Sequence, residues 1–144
     1  MRSLVMLAAL ASVAGCAEPQ AQIERVALKS VRVGGAVAYL EIDSVGHVHG
    51  GTVTGGPAPV VTEDSATIAP AEARAIFAAV ALLGDTLLRH DGAATAEPEG
   101  TTVLGVLFDD QSQARVVWRT GTEHPDPRVR AVVERLMRHR IGGL

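Results

Sequence analysis

The chain has 144 residues, of which 47% are hydrophobic, 20% charged and 3% aromatic, and its formal net charge is −3. This length suits one domain, and the composition lies within globular ranges, which disfavours full disorder. The sequence contains no apolar run of the roughly 18 residues that a transmembrane helix requires. Its single cysteine excludes an internal disulfide framework and a multi-cysteine zinc site.

The first sixteen residues have the parts of an export signal. Arg2 supplies the positive start, Leu4 to Val13 (LVMLAALASV) form a short apolar segment, and small residues lead to Cys16. The sequence Val13-Ala14-Gly15-Cys16 resembles the lipobox of bacterial lipoprotein precursors. That resemblance implies that Cys16 is lipidated and becomes the mature N-terminus.

A lipidated Cys16 predicts firm attachment to a membrane, because two or more acyl chains turn marginal association into stable anchoring. Ala17 follows where lipoproteins kept in the inner membrane usually carry Asp, so the resemblance implies the periplasmic face of the outer membrane in a bacterial envelope. The alternatives are a secretory signal cut near Ala17 and an uncleaved hydrophobic tail. The predicted organisation is a signal peptide (1–15), the cysteine with a flexible tether (16–22) and one small domain (23–144).

The domain starts with patterns typical of β-strands. Val26 to Val33 predict a first strand that ends at Gly34-Gly35. Ala36 to Asp43 and His47 to Thr54 predict a hairpin, because two strand-like runs flank a short turn. Val60 to Thr67 is interpreted as an irregular edge before the first helix.

The first helix is predicted to begin at Pro70 and to end at Gly84. Proline suits the first helical position, Glu72 lies where a capping-box acid would be, and glycine suits a helix end. The inward face repeats at helical spacing and consists of Ala73, Ile76, Phe77, Val80 and Leu83.

The rest of the chain predicts a loop, a second hairpin and a second helix. His90 to Gly100 is small, acidic and rich in helix breakers, so it predicts an exposed loop. Thr102 to Phe108 and Ala114 to Arg119 predict the two hairpin strands. Asp126 as N-cap and Pro127 at the first position start the second helix, whose apolar stripe is Val129, Val132, Val133 and Leu136.

These elements predict an α+β fold in the order strand, hairpin, helix, hairpin, helix. Strands adjacent in sequence favour an antiparallel sheet, here of about four to five strands. Two amphipathic helices need a sheet face on which to bury their apolar sides. The expected architecture is therefore a two-layer sandwich.

Two groups of histidines and acids have residue types that could support metal binding or catalysis. His47 and His49 lie on one strand face roughly 7 Å apart, and a metal would need a third ligand such as Glu41 or Asp43. A solvated strand face explains both histidines more simply, so no metal or cofactor is predicted. In Glu123-His124-Pro125-Asp126 a general base is conceivable, but Asp126 is needed as a helix cap. No catalytic residue is predicted, and the chain is not expected to be an enzyme.

Charge is distributed unevenly along the chain. Residues 41–110 carry eleven acids against two arginines, a net charge of −9, whereas residues 111–144 carry seven arginines against three acids, a net charge of +4. One interpretation is a basic surface for an envelope protein or another anionic envelope component. The other is that the arginines solvate a helix and complement its dipole. A mature net charge of −4 argues against nucleic acid. The predicted basic surface consists of Arg115, Arg119, Arg128, Arg130, Arg135 and Arg138.

The order of elements also resembles that of the emfourins, small bacterial inhibitors of thermolysin-type metalloproteases. The likeness covers Val26 to Met137 and depends on Val33-Gly34-Gly35, Pro70-Ala71-Glu72-Ala73 and Pro125-Asp126-Pro127. The sequence thus predicts a membrane-anchored envelope lipoprotein with a non-enzymatic binding or structural domain. The alternative that the resemblance implies is an inhibitor of an exported metalloprotease.

Overall fold

A computed structural model of the chain describes residues 20–91 and 97–141. The predicted signal peptide, Cys16 and the start of the tether lie outside the described residues. Seven strands and three helices occur within the described part of the chain. They are β1 (Ile23–Val31), β2 (Val37–Asp43), β3 (His47–Val53), β4 (Val61–Thr67), α1 (Pro70–Ala81), α2 (Gly84–Leu87), β5 (Arg89–Asp91), β6 (Thr101–Phe108), β7 (Gln113–Arg119) and α3 (Pro127–Met137).

The strands form one antiparallel sheet in the order β4-β3-β2-β1-β6-β7-β5. The predicted sandwich of four to five strands and two helices is therefore wrong: the sheet is larger, and a third, one-turn helix follows α1. β4 lacks apolar alternation because all of its residues are exposed, and it forms by pairing seven successive residues with β3. β5 pairs with β7, and two of its three residues, His90 and Asp91, fall in the segment that was predicted as a loop.

One face of the sheet is covered by α1 and α3, and we call it the helix face. Val26 and Leu28 of β1 lie opposite Ile42 and Leu40 of β2, and Leu28 also lies opposite Leu104 of β6. These side chains are almost fully buried because the apolar sides of both helices pack onto them. The helices contribute Ala73, Ile76 and Val80 from α1 and Val129, Val132 and Leu136 from α3.

Local signals explain where the two longer helices begin. α3 begins at Pro127, and Asp126 accepts a hydrogen bond from the backbone N–H of Arg128, as predicted for an N-cap. α1 begins at Pro70 as predicted, but its N-cap is Ala69, whose side chain offers no hydrogen bond. α1 ends at Ala81, before the predicted stop at Gly84, and Gly84 is instead the first residue of α2.

The two ends of the sheet have different connections. At the end where β1 begins, the N–H of Gln22 donates to Asp109 Oδ1 at 3.0 Å, and the N–H of Asp109 donates to the carbonyl oxygen of Gln22 at 2.9 Å. We call this the tether end. The opposite end, the distal end, carries the β1–β2 loop (32–36) and the β3–β4 loop (54–60). The nine residues of β1 separate the two ends by about 26 Å.

Two strand glycines make a matched pair for testing the sheet. A Cβ at Gly51 in β3 would overlap the carbonyl oxygen of Thr62 in β4, whereas a Cβ at Gly105 in β6 would meet only the carbonyl oxygen of Ala27, at 3.9 Å. Gly51→Ala is expected to destabilise the fold by about 1–3 kcal/mol, because β4 must move. Gly105→Ala is expected to stabilise it by up to about 1 kcal/mol, because the unfolded chain loses freedom. Urea unfolding of both variants measures the difference, and equal effects would contradict the close β3–β4 contact.

Candidate functional site

The arginines of α3 in the predicted basic surface are engaged within the domain. Arg128 Nη2 lies 2.9 Å from Asp126 Oδ2, and Arg138 Nη2 lies 3.3 Å from Glu134 Oε1. Arg130 Nη1 donates to the carbonyl oxygens of His124 and Pro125, each at 2.8 Å. These guanidinium groups therefore already bind neighbouring carboxylate or carbonyl oxygens of the same domain.

Arg135, another member of that surface, joins the two longer helices. Its Nε and Nη2 donate to the two carboxylate oxygens of Glu72 at 2.9 and 3.1 Å, and His139 Nε2 lies 3.3 Å from Glu72 Oε1. The hydrogen bonds from Arg135 and then from His139 lower the pKa of Glu72 from its usual 4.5 to about 2. Glu72 thus links α1 to α3 instead of completing a capping box.

The lowered pKa of Glu72 predicts a specific loss of stability in acid. A carboxylate whose pKa is lower in the folded state stabilises the fold fully above its unfolded pKa, and that contribution disappears as the pH falls from about 5 towards 2. Glu72→Gln should therefore lower the unfolding temperature at pH 6, and its difference from the wild type should shrink near pH 2. Glu134→Gln on the exposed side of α3 is the matched control. If the difference in unfolding temperature between wild type and Glu72→Gln stayed constant across the pH range, ionised Glu72 would not be the source of the stabilisation.

The two remaining predicted arginines, Arg115 and Arg119, lie on β7, on the sheet face away from the helices. Arg115 lies directly opposite Arg89 of β5, and Arg119 lies opposite Thr101 of β6. Arg89 and Arg115 contribute to an open cleft of about 420 Å³ beside β5 and β7. The six arginines therefore do not form one continuous basic surface, and their role in partner binding stays a prediction. The cleft is lined by Thr86, Leu87, Arg89, Arg115, Val116, Val117 and His124.

The two strand histidines each face a carboxylate. His47 Nδ1 lies 2.9 Å from Asp43 Oδ2, and His49 Nδ1 lies 3.7 Å from Glu63 Oε1. The hydroxyl of Tyr39 also donates to Glu63, at 2.9 Å. Among residues 20–91 and 97–141, no group of three or more histidine, cysteine, aspartate or glutamate residues is arranged to hold a metal ion.

The group around His124 serves the start of α3. His124 Nδ1 accepts a hydrogen bond from the backbone N–H of Asp126 at 3.0 Å, and its ring meets Trp118 edge-on. The side chain of Asp126 accepts hydrogen bonds from the guanidinium and then from the backbone N–H of Arg128, and these lower the pKa of Asp126 to about 2. The imidazole and the carboxylate therefore both hold the helix cap in place.

The distal end exposes apolar side chains that sequence patterns did not single out. Val33 is 84% exposed in the β1–β2 loop, and Val60 and Val61 are 62% and 59% exposed where the β3–β4 loop enters β4. The two loops touch through backbone, because a Cβ at Gly55 would overlap the carbonyl oxygen of Gly34. Two hydrogen bonds between Thr54 and Val60 also close the second loop. The valines are thus presented on loops whose backbones are fixed.

The comparisons with known proteins assign no relative. No family model matches the chain, and neither the curated proteins nor the solved structures contain a significant match. Within the part of the chain that the structure describes, no helix is both long enough and apolar enough to span a membrane.

Proposed function

We propose that this protein is a lipid-anchored component of a bacterial cell envelope whose domain binds a partner without catalysing a reaction. Cys16 carries the lipid, and the periplasmic face of the outer membrane is the proposed location. The lipobox-like sequence Val13-Ala14-Gly15-Cys16 supports the anchor. The partner is an envelope protein or another envelope component.

The observation that carries this proposal is the placement of the tether. The chain enters the sheet at Gln22, and the paired hydrogen bonds with Asp109 fix that entry at the tether end. The exposed Val33 and Val60 lie at the distal end, about 26 Å away along β1. The tether end also exposes one valine, Val45 in the β2–β3 turn, whereas the distal end exposes Val33, Val60 and Val61 together. A domain held at one end with this group of valines at the other suits display of a binding surface away from a membrane.

Mass spectrometry of the mature N-terminus tests the anchor directly. Protein purified from its native envelope in detergent should lack residues 1–15 and should begin at a Cys16 that carries acyl groups. An unmodified N-terminus at Ala17, or a retained Met1, would contradict the proposal. Comparison of the total mass with that of the hydroxylamine-treated protein separates ester-linked acyl chains from other additions.

A second candidate function is inhibition of an exported metalloprotease. The exposed Val33 favours it, because this side chain projects from a loop in which Gly34 and Gly35 both have positive φ and Gly35 donates to the carbonyl oxygen of Arg32. Such a loop can enter a cleft without first losing conformational freedom. Titration of a thermolysin-type protease should then give stoichiometric inhibition that Val33→Asp weakens. Full protease activity at excess protein would exclude this function.

A further inference from the structure

We propose that the outer edge of β4 is a docking strand for an extended segment of another protein, and that this segment carries lysine or arginine. The inference deepens the proposed function and rests on its partner-binding part. Its basis is the combination of an open backbone edge, exposed valines at one end of the strand and two acids at its centre.

Among the described strands, β4 pairs only with β3, so its outer edge presents a row of backbone hydrogen-bonding groups. The N–H of Thr54 donates to the carbonyl oxygen of Val60, and the N–H of Ile68 donates to the carbonyl oxygen of Gly46. Hydrogen-bonded and non-hydrogen-bonded pairs alternate along an antiparallel ladder, so even-numbered residues between these two bonds face β3. The outward N–H and C=O groups consequently belong to Val61, Glu63, Ser65 and Thr67.

This edge lacks several common protections against strand addition. Edge strands are often short, bulged or marked by lysine or proline. β4 has seven residues in unbroken register with β3, all seven are exposed, and its sequence VTEDSAT contains neither lysine nor proline. β5 at the opposite edge has only three residues. An added strand could therefore pair along the full length of β4.

The side chains of β4 restrict the chemistry of the partner. Val61, together with Val60 just before the strand, offers apolar surface at the distal end. Glu63 and Asp64 place two carboxylates at the centre, and the side chain of Glu63 is 51% exposed even with its contacts to Tyr39 and His49. Opposite charges across strands stabilise a pair, so lysine or arginine should face these acids and an apolar residue should face Val61.

The same acids disfavour a second copy of β4 as the occupant in the register that pairs the whole strand. Antiparallel pairing centred on Asp64 places the two copies of Asp64 opposite each other. The side chains of neighbouring residues lie on opposite faces, so the register can change only in steps of two residues, and pairing centred on Glu63 places the two copies of Glu63 opposite each other. Parallel pairing in register opposes both acids with their own copies. Like charges directly opposite each other are destabilising, so these acids disfavour a homodimer and favour a basic partner.

Peptide selection on the full-length protein in detergent micelles tests the docking strand. The probe is a phage library of random octapeptides, followed by affinity measurements on one selected peptide made synthetically. We expect the selected sequences to combine β-branched residues with lysine or arginine. Asp64→Lys should weaken binding about fivefold or more, as expected for a charged pair, whereas Asp85→Lys on the remote, exposed α2 should leave it unchanged.

A backbone variant separates strand addition from simple charge attraction. Ser65→Pro removes one outward N–H and spares the hydrogen bonds to β3, and proline is tolerated at such an edge position. It should abolish binding of the peptide while far-UV circular dichroism stays unchanged. If this variant fails to fold, Asp64→Lys still decides the outcome, because it leaves the backbone intact.

Several results would overturn the docking strand. These are an unenriched library, selected peptides without basic residues, binding that survives Asp64→Lys, or a concentration-dependent dimer that Ser65→Pro dissolves. Membrane anchoring is tested separately from peptide binding, because Cys16→Ala should leave the affinity for the peptide unchanged. Loss of membrane attachment and loss of the docking strand are therefore distinguishable.

Discussion

Replacing Cys16 with alanine is expected to move the protein from the membrane fraction to the soluble fraction. The variant loses the thiol to which we propose that the lipid is attached, and each acyl methylene in a bilayer contributes about 0.8 kcal/mol to anchoring. Fractionation of envelopes followed by immunoblotting measures the change. The expected shift is nearly complete.

Ala17→Asp is the informative companion to that variant. It keeps Cys16 and changes the residue that, by resemblance to bacterial lipoproteins, directs sorting. We expect this protein to remain in membranes and to move from the outer to the inner membrane. A Cys16→Ala protein that still partitions fully into membranes would show that lipid on this residue is not the anchor.

The second large effect is expected at the centre of the core. Leu104 of β6 is fully buried and lies opposite Leu28 of β1 and Val116 of β7. Leu104→Ala should destabilise the domain by about 3 kcal/mol, because apolar contacts are lost and a cavity remains. Total stabilities of domains are roughly 5–15 kcal/mol, so this is a substantial fraction.

Leu82→Ala is the matched control for that measurement. Leu82 follows α1 and is 76% exposed, so the same truncation should change stability by less than about 0.5 kcal/mol. Urea unfolding followed by circular dichroism compares the two. Equal losses at both positions would contradict the placement of Leu104 at the centre of the core.

Elements with strong local signals could be predicted from the sequence. Asp126, Pro127 and the apolar stripe that follows fix the start and the buried face of α3, because capping and helical period act within a few residues. The hairpins β2–β3 and β6–β7 were also predicted, since adjacent strand-like runs with short turns pair locally.

β4 and β5 lack the sequence patterns that predict the other strands. β4 buries no side chain, so its sequence has no apolar period, and only its backbone pairing with β3 makes it a regular strand. β5 is three residues long and depends on β7. Both strands are products of tertiary pairing, which is why the strand number was underestimated.

The candidate site shows a different limit of sequence reasoning. The sequence gives the number of arginines but not their acceptors. Arg135 was assigned to a basic surface, but its acceptor is Glu72, which lies 63 positions earlier in the sequence. No local pattern connects two residues so far apart. The exposure of Val33 could likewise not be predicted, because the sequence around a single valine near a turn does not show whether its side chain lies on the surface or in the core.

The position of β1 has a consequence for how the protein folds. β1 is the first strand in the sequence but lies in the middle of the sheet. Its second neighbour, β6, begins 70 residues after β1 ends. The β1–β4 meander can assemble early from local pairings, whereas β1–β6 closure must wait for most of the chain and should limit the folding rate. If the chain is exported as proposed, one edge of β1 stays unpaired until β6 emerges. Such an intermediate has an open strand edge and is prone to aggregation.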